Sequence, residues 1–252
     1  MYTTLNDITF YYEKHGTGKK QILILPGWGN TRETFRYMIN AFKENYTIYI
    51  IDYPGLGKSP IPSKDLTIYD YTELIINFMK EQKIKKPIII AHSFGGRITT
   101  LLSSYYKVKL DKLILIDIAG IKQKKKLKSL IKEKIYKFLK KLSVFLPKLH
   151  QETYKQKLLK LFGSSDYSSL PQGMHQTFKN IINEDLTSYF KDIENETLII
   201  WGNEDIDTPL KDAYKIKEMI KNSALIILKN APHFSYLVYP YLTNQIINEF
   251  IK

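Results

Sequence analysis

Ser93, Asp205 and His233 are the residues whose types and surroundings could do covalent chemistry. A serine hydroxyl is a poor nucleophile until a base removes its proton, and that base works best when an acid orients it. Ser93 lies in Ala91-His92-Ser93-Phe94-Gly95-Gly96, between an apolar run and a helical pattern that starts at Arg97. A reactive serine on so sharp a turn needs small residues on either side, which Ala91 and Gly95 supply, while Gly96 lets the helix approach a sheet. The N-terminus of that helix would add partial positive charge beside a developing oxyanion. Leu25-Pro26-Gly27-Trp28-Gly29-Asn30 is a second turn that could aim an amide at the same oxyanion. The two expected donors are the backbone N–H groups of Trp28 and Phe94.

The base and acid have competitors. His92 adjoins Ser93, but its side chain should leave the turn in another direction, and a packing role is expected. His15, His150 and His175 lie in turn-like or cap-like contexts, whereas His233 follows the last apolar run in Asn230-Ala231-Pro232-His233-Phe234. Asp205 follows the preceding run, in Trp201-Gly202-Asn203-Glu204-Asp205-Ile206-Asp207-Thr208-Pro209. Asp117, Glu204 and Asp207 remain alternatives for the acid. Asp52 is expected to brace its own loop, Asp52 to Ser59. The order Ser, Asp, His, each residue after its own strand, is the strongest argument for the first set.

These residues must be positioned by a sheet. Apolar runs at Gln21–Leu25, Tyr46–Ile51, Pro87–Ala91, Lys112–Asp117, Thr197–Trp201 and Ala224–Leu228 are apolar on both faces, as central parallel strands are. Amphipathic stretches such as Asp70–Lys83 and Pro209–Lys221 alternate with them. The rhythm predicts an α/β fold with an open, doubly wound, mostly parallel sheet whose carboxyl edge carries the site. Tyr2–Tyr12 is richer in Thr and Tyr and is expected to form an antiparallel edge. Gly16-Thr17-Gly18-Lys19 lacks the first glycine of a phosphate loop and precedes a strand, so it reads as a turn.

The rhythm breaks once. Residues 121–190 are expected to form a helical cap inserted into a core made of residues 1–120 and 191–252. The insertion opens with Lys122–Lys141, in which ten lysines face the single acid Glu133. Leu127, Leu130, Ile131, Ile135, Phe138, Leu139 and Leu142 recur at helical spacing there, a stripe expected to pack on the domain below.

A chain of 252 residues with 44% hydrophobic content can bury one large α/β core. The absence of cysteine excludes disulfides, thiolate metal sites and a cysteine nucleophile. No histidine pair or carboxylate cluster with metal-ligand spacing stands out, and neither a metal nor another cofactor is expected. The net charge of +13 comes from 38 basic residues of which only Arg32, Arg36 and Arg97 are arginines. Specific phosphate or base recognition favours arginine's fork, so a solvated lysine surface is expected and no nucleic-acid partner. Peripheral contact with an anionic membrane through Lys122–Lys141 is the weaker alternative. The first residues lack a signal-peptide pattern and no apolar run is long enough to span a bilayer, so a cytoplasmic location is expected.

Over nearly its whole length the chain resembles the α/β-hydrolase superfamily. The likeness rests on the Leu25–Gly29 loop, on Asp52-Tyr53-Pro54-Gly55-Leu56-Gly57-Lys58-Ser59, and on the settings of Ser93, Asp205 and His233. Ala91 stands where glycine is usual and Pro26 where many members carry histidine; neither change removes a catalytic group. The resemblance implies a serine hydrolase acting through an acyl-enzyme on a small acyl substrate. A carboxylesterase for small or medium acyl esters is the first expectation. A carbon–carbon bond hydrolase of the ring-fission type comes second, peptide or amide hydrolysis third, and a non-catalytic hydrolase-like binding protein represents a different class.

Overall fold

The computed structural model describes residues 1–123, 170, 171 and 173–252, together with the isolated positions 135, 136, 138, 139, 141, 153, 154, 157 and 158. Eight strands form one sheet: β1 (Tyr2–Leu5), β2 (Ile8–His15), β3 (Lys20–Leu25), β4 (Tyr46–Asp52), β5 (Ile88–His92), β6 (Lys112–Ile116), β7 (Glu196–Gly202) and β8 (Ser223–Leu228). Their order is β1-β2-β4-β3-β5-β6-β7-β8. From β4 to β8 every neighbouring pair is parallel, and β1 and β2 add an antiparallel edge. The doubly wound, mostly parallel sheet is therefore present. The antiparallel edge expected at Tyr2–Tyr12 takes the form of a hairpin, turning at Asn6 and Asp7, which both have positive φ.

The strands form where they do because isoleucine and leucine alternate with each other rather than with polar residues. Ile22, Ile24, Ile48, Ile50, Ile88 and Ile90 face one side with Phe35, Met38 and Ile39. Leu23, Leu25, Tyr49, Ile51, Ile89 and Ala91 face the other with Ile75, Phe78 and Ile98. A strand apolar on both faces is stable only when helices cover both. The first face is covered by α1 (Arg36–Phe42) and by Ile247 and Ile251 of the last helix, Pro240–Ile251. The second is covered by α2 (Ile68–Glu81), by α3 (Phe94–Thr100), and by Ala213 and Ile216 of Leu210–Met219. Helix α2 begins two residues before the amphipathic pattern because Thr67 and Asp70 form a capping box.

The chain runs from β3 outward to β4, then returns to the other side of β3 as β5. That reversal opens a crevice beyond the carboxyl ends of β3 and β5, where open α/β sheets bind ligands. The Trp28 loop and Ser93 both follow those two strand ends. Most of Lys122–Lys141, and with it the expected cap helix, lies outside the described residues. Of its stripe, Ile135, Phe138 and Leu139 are described; the first two are exposed and Leu139 is half-buried. The later part of the 121–190 segment is described from Gly173 onward and includes α4 (His175–Asn183). Thr177 of α4 accepts a hydrogen bond from the Leu66 amide at 3.0 Å, tying α4 to the loop before α2. Among the described residues, no helix is long and apolar enough to cross a membrane.

Candidate active site

Ser93 sits between β5 and α3 at φ 46° and ψ −110°. A non-glycine residue in so sparsely populated a conformation costs about 1–3 kcal/mol and persists only where its surroundings hold it. Three backbone hydrogen bonds do so: the Ser93 amide donates to Ile116, and the amides of Gly96 and Ala119 donate to the Ser93 carbonyl. A side chain at position 95 would run into the Leu25 carbonyl, and one at 96 into Ile118, so both glycines are required for close approach. The Gly95 amide donates to Pro26 at 3.0 Å, locking the serine turn to the Trp28 loop.

Asp205 and His233 reach the same edge from the loops after β7 and β8. The Ser93 hydroxyl lies 2.9 Å from His233 Nε2, and His233 Nδ1 lies 2.8 Å from Asp205 Oδ2. With Nδ1–H donating to the carboxylate, Nε2 is left to accept the serine proton. The Asp205 side chain is wholly buried and that of His233 is 12% exposed. Burial alone would raise the Asp205 carboxyl, but hydrogen bonds from His233 and Thr208 outweigh it and hold it below the usual range. Burial likewise opposes the charged His233 ring, and the Asp205 hydrogen bond and charge overcome it, so His233 titrates above the ordinary histidine value.

The backbone amides of Trp28 and Phe94 donate to no protein acceptor among the described residues. Both residues, with Ser93 and His233, line a cavity of about 410 Å³. Its far wall is apolar and comes partly from Phe178, Ile181 and Ile182 of α4.

The competing residues separate cleanly. Asp117 is buried after β6 but accepts from the Gly202 amide at 2.8 Å and the Ser235 hydroxyl at 2.6 Å, with no hydrogen bond to a histidine ring. It braces the histidine loop instead. Glu204 and Asp207 are exposed, and Asp207 contributes its amide to Asp205 at 2.8 Å. Asp52 does brace its loop, accepting from the Lys58 amide at 2.9 Å, and it also pairs with Arg32. His15 is bonded to Glu13, and His150 lies outside the described residues. Asp205, Asp207 and His233 come within 4.8 Å of one another, a grouping invisible in the spacing. Two of its members are already bonded to each other as acid and base.

Three supporting roles were not read from the sequence. The Thr208 hydroxyl donates to Asp205 Oδ2 at 2.6 Å, and its amide to Oδ1 at 2.8 Å. His92 does more than pack: its Nε2–H donates to the His233 carbonyl at 2.9 Å, and its Nδ1 accepts from Asn30 at 3.2 Å. Burial and the neighbouring His233 depress His92 to about 3, so the ring stays neutral and keeps one donor and one acceptor. Arg97 is buried and lines the cavity. The nearest sequence signals were the polar residues flanking Asp205 and the asparagine closing the Trp28 loop.

With this geometry in place, comparison with known proteins is decisive about family. The alpha/beta hydrolase fold family matches residues 20–240. The chain belongs to that family. A pimeloyl-[acyl-carrier protein] methyl ester esterase of Wigglesworthia glossinidia brevipalpis is 29% identical, covering 96% of this chain and 98% of its own. A 2-hydroxy-6-oxononadienedioate/2-hydroxy-6-oxononatrienedioate hydrolase of Pseudomonas putida is 22% identical, covering 97% of this chain and 92% of its own. Among solved structures, the enol-lactonase of Burkholderia xenovorans LB400 superposes with a TM-score of 0.77 at 17% identity, over 100% of this chain and 99% of that one. A hydrolase is the class that membership supports for this α/β-hydrolase chain.

Proposed function

We propose that this α/β hydrolase is a serine carboxylesterase acting on small or medium acyl esters. The reading rests above all on the continuous relay from the Ser93 hydroxyl through the His233 ring to the Asp205 carboxylate, at 2.9 and 2.8 Å. In it, His233 takes the Ser93 proton as the oxygen attacks the ester carbonyl. Asp205 holds the tautomer and stabilises the imidazolium. The amides of Trp28 and Phe94 receive the oxyanion, and the helix dipole of α3 favours its charge. His233 then returns the proton to the departing alcohol, and water repeats the sequence to free the acid. The cavity of about 410 Å³ suits a small-molecule substrate.

The methyl ester esterase relative supports ester hydrolysis, and the Pseudomonas putida relative gives carbon–carbon cleavage a specific second footing. Turnover of p-nitrophenyl butyrate against a hydroxy-oxo-dienoate separates the two. Esterase activity that disappears in Ser93→Ala, with covalent labelling of the wild type by a fluorophosphonate, is the expected result. A fully active Ser93→Ala protein would refute the assignment.

A further inference from the structure

Arg97 lies four residues after Ser93, near the start of α3. It is only 6% exposed, yet it forms part of the cavity wall beside Ser93 and His233. A guanidinium offers five donors and is nearly always paired when buried. Here one hydrogen bond is made, from Nη1 to the Glu184 carbonyl at 2.8 Å, and among the described residues no ion pair is formed. The Glu184 and Asp185 carboxylates favour the guanidinium charge at a distance, but among the described residues neither is hydrogen-bonded to it. Glu184 accepts from the Tyr69 hydroxyl at 3.1 Å, and Asp185 from Thr187 at 2.6 Å. Desolvation lowers the guanidinium to about 10, which still leaves it charged at neutral pH. The same lining carries the apolar Trp28, Phe94, Phe178 and Ile181 together with the polar Asn30 and Thr208 and the acid Asp207. A buried cation that reaches the cavity beside a nucleophile with one carbonyl partner keeps donors free for an anion brought by the ligand.

We infer that Arg97 is a specificity-determining residue that binds an ionised carboxylate carried by the ester a few carbon atoms from the carbonyl attacked by Ser93. The inference rests on the proposed esterase reading and narrows its substrate to half-esters and related anionic esters. The alternative role for Arg97 is a brace that only closes the C-terminal end of α4 through Glu184. A brace is indifferent to substrate charge.

The test is a matched pair, monomethyl adipate against dimethyl adipate, with kcat/KM measured for the wild type, Arg97→Gln and Arg97→Lys. The expected wild-type preference for the charged ester is about 10- to 100-fold, the range of one charge-assisted pair. Arg97→Gln collapses that ratio through KM, and Arg97→Lys recovers part of it. An acetyl ester of glycolate, with its charge on the alcohol side, tells which half of the substrate carries the anion. A wild type without preference, or a Gln variant that loses both esters in equal proportion, overturns the inference and leaves the esterase reading intact. If neither ester is hydrolysed, the esterase reading fails by itself. Binding to the Ser93→Ala protein, read by Trp28 fluorescence, still decides the anion site: monomethyl adipate should bind, and lose that binding when Arg97→Gln is added. Equal binding with and without Arg97 rejects it. Thermal melts of each variant identify any protein that has failed to fold.

Discussion

Asp117 and Asp205 stand at the ends of adjacent parallel strands, both buried, both touching the loop that carries His233, and they are driven in opposite directions. Burial pushes Asp117 up to about 7, and the hydrogen bonds from Ser235 and Gly202 only partly offset it. Asp205 is also desolvated, yet it is held below the ordinary carboxylate range because His233 and Thr208 donate to it. The difference is a hydrogen bond to a partner that can become a cation. Both carboxylates gain from charge on the His233 ring, but only Asp205 is hydrogen-bonded to it, and Asp117 is further raised by its neighbour Asp205. Two aspartates of similar setting in sequence thus divide into an ionised orienter and a buried brace.

The comparison can be broken most forcefully at Asp205. Replacing it with Asn should lower kcat by about 10⁴-fold, because the histidine tautomer is no longer fixed; Asp117→Asn measured in the same assay should lose less than about 10-fold. Equal losses would mean that the two aspartates are not functionally distinct. Next in size is the pH profile. His233 must be neutral to accept the Ser93 proton, so kcat/KM falls as pH drops through its raised value, and the acid limb lies above the ordinary histidine range. In Asp205→Asn the depressing effect of burial loses its strongest opponent and the limb moves to lower pH. In Asp117→Asn it should move the same way, but less.

Stability sharpens the contrast. Because the folded protein binds a proton at Asp117 more tightly than the unfolded chain does, that residue's contribution weakens as pH rises from about 4 to about 7. Thermal melts across this window should decline less steeply in Asp117→Asn. The same substitution leaves donors from Gly202 and Ser235 poorly matched and should cost about 1–3 kcal/mol overall. The smallest expected effect is Thr208→Val. It removes one hydroxyl from Asp205 and should reduce kcat about 3- to 10-fold.

Much of this was legible from short stretches. A strand apolar on both faces must be covered twice, so the runs ending at Leu25, Ala91 and Trp201 indicated a doubly wound sheet before any coordinates. Ser93, Asp205 and His233 were each marked by a turn directly after such a run, and chain order did the rest. The antiparallel edge expected at Tyr2–Tyr12 is a hairpin whose turn is set by Asn6 and Asp7, two short polar residues that tolerate positive φ.

The chain's own pattern of residues therefore determined the sheet and the sharp turn at Ser93, and it singled out the candidate reacting groups, since each is encoded within a dozen neighbouring positions. Tertiary structure alone decided which buried aspartate faces the histidine, that His92 ties the His233 loop to Asn30, and that Arg97 opens into the cavity with only Glu184 to satisfy it. These pairings join residues from 28 to 141 positions apart in the chain. Side-chain charge states and partners depend on distance in space and on exclusion of water, and neither is written in local spacing.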